Sequence, residues 1–551
     1  MSLVYTRVFL KNYKLFDVKQ NKDIATFLAV KLASELICKN HIVAIKSKTG
    51  FHLVASCLNE DLIKRLRLLK NRPTKPFAIM LKNISKVRKY AFLTNEEKRH
   101  LVSTKKPIVL LKSKDKLPKL VNPYLNTIGV FLPHSKIYEC VFKFIDIPLI
   151  VTSANISKNP PILDIWTLVK YNLCDYILYD DFCVKNQKDD SLLFLVDKRP
   201  VFVRLSRAYR PKTIKSSFDN KGCFLALGGE EKCEFAIYNN GKIFLSPYIG
   251  DIKNEATLNK LIDSINKHNL DFDFVVCDKH PHFLHTNHFK THQRVFVQHH
   301  HAHALSVMGE HDLYNAVAFC FDGTGYFDNN TIWGGEVLKC SGKDYKRVAF
   351  FDEFVLMPNA ISNIKLLAFS IIKKYELYEY AKDFLIKITK NEEIVYQNRI
   401  NCLKTSSLGR IFDAFGAIVF GFDKNEYDGF VGMAIESFYD KKIKKSYKFH
   451  ILEDGRIDFR DAFVGAFLDD KVTACSKFLN MIVKIVLHIS KQSKHKIVFC
   501  GGVFLNKTLI RLLDKEFKKY KMKYYIPNNF CQNDSNIAYG QIMYCLRSAN
   551  V

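Results

Sequence analysis

Val295–His311 reads VFVQHHHAHALSVMGEH and holds five of the chain's 18 histidines. His299 and His303 stand four residues apart among the helix formers Ala302, Ala304 and Leu305. One α-helical turn takes about 3.6 residues, so both imidazoles fall on one helix face and offer two neutral nitrogens to a transition metal. His300 and His301 are expected to point elsewhere. The alternative is a polar helix that happens to be rich in histidine.

The chain has 551 residues, and single cores seldom grow past about 300, so two or more domains are expected. A hydrophobic content of 48% is ample for globular cores. No apolar run reaches the length of about 18 needed to span a bilayer, and the start, MSLVYTRVFLKNYK, lacks the apolar stretch of a signal peptide. These features predict a cytoplasmic protein with no membrane partner. Fifteen scattered cysteines form no CxxC pair, which fits reduced thiols rather than a disulfide frame or a zinc finger. The net charge of +29 allows nucleic acid or acidic partners, but the lysines are dispersed, as on a solvated surface.

Residues 1–24 carry little pattern and read as a short helix or remnant linker. Asp23–Cys38 reads as an amphipathic helix, His41–Lys46 as a strand, and Asp61–Lys70 as a helix with Leu62, Leu66 and Leu69 on one face. A helix cannot run through Pro73 and Pro76, so Lys70, Arg72 and Lys75 sit on an extended loop where they can converge on an anion. Further strands are expected at Phe77–Leu81, Pro107–Leu111, Thr127–Leu132 and Pro148–Val151. The last runs into TSANIS, whose hydroxyl and amide groups suit nucleotide contacts. Asp189, Asp190 and Ser191 precede VRLSRAYRP, with Arg204, Arg207 and Arg210. Together these describe an α/β domain with a basic concave face.

Residues near 211–221 are polar and read as a linker. Beyond it come strands at Phe224–Leu227, Glu234–Tyr238 and Lys242–Ser246, the last two joined through Asn239–Asn240–Gly241. Asp278, His280 and His282 lie at a strand end. Ala316–Phe321 reads as a strand ending in Asp322–Gly323–Thr324–Gly325, and Trp333–Val337 as its return. Lys496–Cys500 leads into Gly501–Gly502, and Asp534 precedes a final helix. Glycine turns at 228, 322 and 501 suit a duplicated actin-like ATPase fold in which two lobes clamp a nucleotide, with an ordinary doubly wound enzyme as the alternative.

The order KTGFHL, KNRPTKP, LTNEE, TIGVFLP, VTSANIS, DDSL and RLSRAYRP is similar to the YrdC-like domain of HypF carbamoyltransferases. LALGG, IGDI, CDKHPHFLHT, VQHHHAHALSVMGEH, FDGTGY, TIWGGE, TSSLGRIFDA, GGVFLNKTL and QNDSNIAYGQ resemble the remainder of that family. The resemblance implies an N-terminal segment at 1–24, an α+β YrdC-like domain over 25–212, a linker at 213–221 and a duplicated actin-like carbamoyltransferase domain over 222–551. It is related to the enzymes that make threonylcarbamoyladenosine in tRNA. By this likeness Lys70, Arg72, Lys75 and Arg204 would hold phosphates or carbamate, and Ser153 and Asn155 would contact nucleotide. Gly228, Gly229 and Gly325 would approach phosphates, and Asp413, Gly501, Gly502 and Asn506 would surround the rest of the nucleotide. His299, His303, Asp322 and Asp534 would hold Fe, Zn or Mg. The sequence departs from the family at Ser47 and Thr49, which replace glycines, at Gln187, which replaces an arginine, and at Cys233, Glu234, Ser535 and Asn536.

The implied chemistry has two stages. Carbamate and ATP give carbamoyl-AMP, and the carbamoyl group then passes to the C-terminal cysteine of a HypE-like protein, en route to the cyanide ligand of NiFe hydrogenase. The family usually begins with acylphosphatase and zinc-finger-like domains, which have no counterpart in this sequence, so carbamoyl phosphate would need a separate acylphosphatase to yield carbamate. The alternatives are an O-carbamoyltransferase, a tRNA-modifying enzyme, or a nonenzymatic RNA-binding relative.

Overall fold

The computed structural model describes residues 12–26, 28–156, 162–182, 184, 188–218, 220–328 and 330–548. Gln187 therefore lies outside the described residues. The chain divides into two compact units, 1–195 with 206–209, and 196–205 with 210–551.

The first unit is built on a mixed sheet. Its strands are β1 (Lys14–Asp17), β2 (Lys22–Ile24), β3 (Val43–Ser47), β4 (Gly50–Ser56), β5 (Ile79–Met80), β6 (Ile108–Lys112), β7 (Thr127–Phe131), β8 (Leu149–Ser153), β9 (Tyr176–Tyr179) and β10 (Leu192–Val196). They lie in the order β10-β6-β7-β5-β8-β4-β3-β9-β1-β2. Helices Ala29–Cys38 and Lys136–Phe144 bury Ala33, Ile37, Tyr138 and Val141 against Ile45, Val54 and Val151. Helix Glu60–Leu69 is capped by the Asn59 side chain, which accepts from the Leu62 amide, and buries Leu62, Ile63 and Leu66. Residues 14–17 and 22–24, expected within a short helix or remnant linker, are the strands β1 and β2, which extend the sheet, and Leu15 is wholly buried. Strands of three or four residues are too short to show a period.

The second unit contains two sheets with a shared plan. In one, Cys223–Ala226, Ala236–Asn239 and Lys242–Leu245 form an antiparallel meander, and Phe274–Asp278 and Arg294–Val297 add in parallel. Its tight turn uses Asn240 at φ 43° and Gly241 at φ 80°, the left-handed pair such a hairpin requires. In the other, Asn315–Phe327, Thr331–Ser341 and Asp344–Phe351 form the meander, and Lys496–Cys500 and Tyr524–Tyr525 add in parallel. This repeat is the duplicated actin-like fold. Lys212–Lys215, expected within a linker, is an edge strand paired with Lys242–Leu245. Its polar composition reflects an edge position, where only one side of the strand is paired.

Helices His299–Glu310 and Ile537–Ser548 fill the core with residues of both sheets, among them Ala226, Tyr238, Ala318 and Cys320. Every residue of the histidine helix except Glu310 is buried, so it is a core helix rather than a surface one. Helix Lys471–Gln492 is long and apolar enough to cross a membrane by length and composition, but 61% of its most apolar window is buried within the unit. The described cysteines are all free thiols.

A candidate metal centre and its surroundings

The histidine helix starts where Arg294–Val297 ends, and the Gln298 side chain caps it by accepting from the His301 amide at 2.8 Å. Its first turn holds His299 and its second His303, with ring centroids 4.9 Å apart. Each ring is fixed through Nδ1. His299 Nδ1 donates to Asp278 Oδ2 at 2.7 Å, and His303 Nδ1 donates to Asn536 Oδ1 at 2.8 Å. That orients both rings and points both Nε2 atoms into the cluster, buried and without a hydrogen-bond partner.

Asp322 comes from the second sheet. Asn315–Phe327 runs on through Asp322–Gly323–Thr324–Gly325 as one strand with a register shift between Phe321 and Gly325, so the expected glycine turn is instead a bulge in a continuous strand. The bulge turns the carboxylate toward the histidines. Asp322 Oδ1 accepts from the Gly502 amide at 2.8 Å, and Oδ2 lies 3.4 Å from His299 Nε2 and 3.6 Å from His303 Nε2. Asp534, on the turn before the last helix, places Oδ1 3.7 Å from His303 Nε2. The four donor atoms lie within 4.8 Å of one another. Ligand bonds of about 2.0–2.2 Å to a tetrahedral cation give donor–donor edges of about 3.3–3.6 Å, close to these separations. Burial pushes Asp534 up to about 6, with Lys232 opposing and the Asp322 charge adding to the rise. Two such carboxylates side by side call for positive charge between them. The orphaned Nε2 atoms and the paired carboxylates therefore fit a divalent cation.

The glycines around this cluster make room for it. A Cβ on Gly325 would strike the rings of His300 and His299, and one on Gly229 would touch Asp534 at 3.5 Å. Gly228 donates to Gln541 Oε1 at 2.9 Å, and Gly501 has φ 97° with no space for a side chain against the Phe321 carbonyl. Arg410 lies 3.2 Å from where a Cβ on Gly323 would be. Its Nη1 is 3.1 Å from Asp413 Oδ2, near enough for charge pairing but not aligned as a hydrogen bond. Burial pushes Asp413 up to about 6 against the pull of Arg410. The Asn506 side chain accepts from the Leu509 amide and donates to the Gly432 carbonyl at 3.0 Å.

In the first unit, β4 pairs with β8 so that His52 faces Ser153. Lys70 is 2% exposed and donates to the Ser153 carbonyl at 2.6 Å, the Asn155 carbonyl at 2.7 Å and Asn155 Oδ1 at 3.1 Å. It thus joins the KNRPTKP loop to TSANIS, and burial, then Arg72 and Lys75, hold its ammonium down at about 7. Arg72 donates from Nε to the Lys75 carbonyl at 3.1 Å. Arg67, not anticipated from sequence, fixes the same loop by donating to the carbonyls of Arg72, Pro73 and Leu120. The hydroxyls of Ser47 and Thr49, which stand where the family has glycines, bond to each other at 2.9 Å. Arg204 falls in the second unit, and Lys70, Arg72 and Lys75 fall in the first.

Family models match along most of the chain. "Carbamoyltransferase, Kae1-like Domain, second subdomain" covers residues 318–541 and "HypF Kae1-like domain" residues 219–310. "Telomere recombination", the model of the Sua5, YciO and YrdC proteins, covers 35–206. The chain is 28% identical to the probable carbamoyltransferase HypF of Methanocaldococcus jannaschii, over 98% of this chain and 74% of that protein. It is also 28% identical to the carbamoyltransferase HypF of Synechocystis, over 94% of this chain and 72% of that protein. A solved full-length HypF superposes with a TM-score of 0.91 at 29% identity, over 98% of this chain and 74% of that one.

The chain belongs to the HypF carbamoyltransferase family.

It is therefore an enzyme of the carbamoyltransferase class. Sequence reasoning about this HypF-family chain missed Asp278 and Asn536 as the groups that orient the histidines. The one available signal for Asp278 was its position at the end of a buried strand. It also missed Lys232, which pairs with Asp428 at 2.9 Å.

Proposed function

We propose that this chain is an ATP-dependent carbamoyltransferase working in two stages, one in each unit. In the first unit carbamate and ATP form carbamoyl-AMP, with a carbamate oxygen bonding to the α-phosphorus and pyrophosphate leaving. Lys70 holds Ser153 and Asn155 in place for the nucleotide, and Arg72 and Lys75 supply positive charge nearby. In the second unit the carbamoyl carbon is attacked by a thiol, the C–S bond forms and AMP departs. The acceptor is the C-terminal cysteine of a HypE-like protein. His299, His303, Asp322 and Asp534 would hold a divalent cation, Fe, Zn or Mg. The chemistry such a cation supplies is Lewis-acid polarisation of the carbamoyl carbonyl.

The observation that carries this reading is the convergence of two oriented imidazoles and two carboxylates at mutual distances suited to one cation, beside glycines that leave the backbone bare. Support for the nucleotide comes from the 29%-identical HypF solved in a phosphate- and nucleotide-bound form. The test is ATP–pyrophosphate exchange driven by carbamoyl phosphate, with and without added acylphosphatase, followed by mass analysis of a HypE C-terminal peptide. Exchange followed by carbamoylation of the terminal cysteine is expected. Transfer to a sugar hydroxyl or to tRNA, with none to the peptide, would overturn the acceptor.

A further inference from the structure

A cavity of about 250 Å³ opens in the second unit at the far end of the histidine helix. Gly309 on its wall lies about 9 Å past His303 along the helix axis, so the cavity is separate from the metal centre. Its apolar lining comes from Ile214, Ile243 and Leu245 on the sheet side and from Phe530, Tyr539 and Met543 facing them. Phe530 and Tyr539 stack with centroids 4.2 Å apart. One border of the cavity is the strand Lys212–Lys215, which ends its sheet and pairs only with Lys242–Leu245. The Ser216 amide donates to the carbonyl of Gly241, directly opposite, at 2.8 Å. Hydrogen-bonded pairs alternate along an antiparallel ladder, so they recur at Ile214 and Lys212. The backbone N–H and C=O groups of Thr213 and Lys215 therefore turn outward, where no described residue bonds to them, and both residues are exposed. Ile214 opposes Ile243 and Lys212 opposes Leu245, so these side chains share the face that borders the cavity. The open edge and the cavity thus adjoin.

The charges narrow what fits there. Arg210, on the wall, is already paired with Glu234. Glu310, also on the wall, accepts from the amides of Asn528 and Asn529 at 3.0 and 2.7 Å. Lys212 and Lys215 make no ion pair among the described residues. Lys215 also stands directly opposite Lys242, a like charge on the same face that carries no carboxylate partner either. Asp312 is the wall carboxylate left to oppose these three cations, so the balance favours an acidic occupant. Backbone donors and acceptors exposed along a strand edge are met by another extended chain, which a nucleic acid does not supply. A second copy of this strand would set lysine against lysine, which is how edge lysines deter self-pairing.

We propose that the open edge of Lys212–Lys215 and the cavity beside it form a docking site for an extended acidic segment of a partner protein. The segment adds as a further strand through the outward groups of Thr213 and Lys215 and seats one apolar side chain in the cavity. The surface lies outside the carbamoyl-transfer scheme, so its test needs neither ATP nor acceptor. The probe is a fluorescein-labelled peptide that alternates glutamate with valine around a central phenylalanine, titrated by anisotropy against the full chain. Saturable binding is expected. It should weaken at least tenfold when alternate backbone amides of the peptide are N-methylated, and when alanine replaces the phenylalanine. Thr213→Pro and Lys215→Glu should weaken it as much. Proline at that position removes an outward N–H and no bond to Lys242–Leu245, as edge strands tolerate. Lys215→Glu keeps the test decisive if the proline variant fails to fold. Hydrogen exchange at the Thr213 and Lys215 amides should slow when the peptide is bound. No saturable binding, or binding that N-methylation and Thr213→Pro leave unchanged, would overturn strand addition. A single-stranded oligouridylate of equal charge that binds more tightly than the peptide would also overturn it and assign the lysines to nucleic acid.

Discussion

Asp278 and Asn536 decide what the two imidazoles can do. Each accepts the Nδ1–H of one ring, so each presents Nε2 to the same point. Loss of such a supporting partner typically lowers metal affinity by about 10–100-fold without removing a ligand. Asp278→Asn and Asn536→Ala are each expected to fall in that range, read by competition with a chelating dye. A second residue-scale prediction concerns His301, whose ring is tilted against Tyr345 with centroids 4.6 Å apart. Burial, then Arg547, holds it at about 3. A histidine held neutral in the fold stabilises fully above its unfolded value of about 6.5 and loses that contribution as pH falls toward 3. His301→Phe should therefore gain on the wild type by about 2 kcal/mol between pH 7 and pH 5, measured by urea unfolding. The spacing of His299 and His303 was legible because a helix repeats. Their supports were not, because Asp278 and Asn536 lie 21 and 233 residues from their partners and follow no local period.

At the scale of elements, the position of Asn536 and Asp534 depends on how closely the last helix approaches the histidine helix. A Cβ on Gly540 would fall inside the Ala302 carbonyl, and one on Gly309 would meet Met543. The Gly540 contact is with backbone, so no side-chain rotation relieves it. Gly540→Ala should destabilise the fold by about 1–3 kcal/mol, the usual range for overpacking, and weaken cation binding together with it. Gly309→Ala should do less, because Met543 is flexible. Thermal melts and dye competition on both variants check the order. Most strands and the Asn–Gly hairpin could be read from alternation and turn chemistry. Lys14–Asp17, Lys22–Ile24 and the edge strand Lys212–Lys215 could not, since each is only three or four residues long. The strand through Asp322 read as ending because its glycines resemble a turn.

At the scale of the molecule, the sequence showed two domains and their order, but the proposed border near 212 differs from where contacts divide. Residues 196–205 and 210 are tied into the second unit. Arg199 pairs with Asp514 at 2.8 Å, the Val203 carbonyl accepts from Asn533 at 2.9 Å, and Arg210 pairs with buried Glu234 at 3.1 Å. A fragment of 213–551 would leave Glu234 buried without its guanidinium, a loss of about 3–5 kcal/mol when such a pair is broken. A fragment of 196–551 is expected to unfold at clearly higher urea than one of 213–551, and limited proteolysis should cut the shorter one first. Resistance of the two in equal measure would return the border to 212.

The bulge between Phe321 and Gly325 has a consequence for how this hairpin can change over generations. Successive strand residues point to opposite faces, so inserting or deleting one residue in that interval would swing Asp322 away from the histidines. Length changes should be tolerated past Phe327, where the chain turns back toward Thr331, and purged between 321 and 325. A library of single-residue insertions and deletions, selected for folded and cation-loaded protein, would show that asymmetry as a gap only a few codons wide.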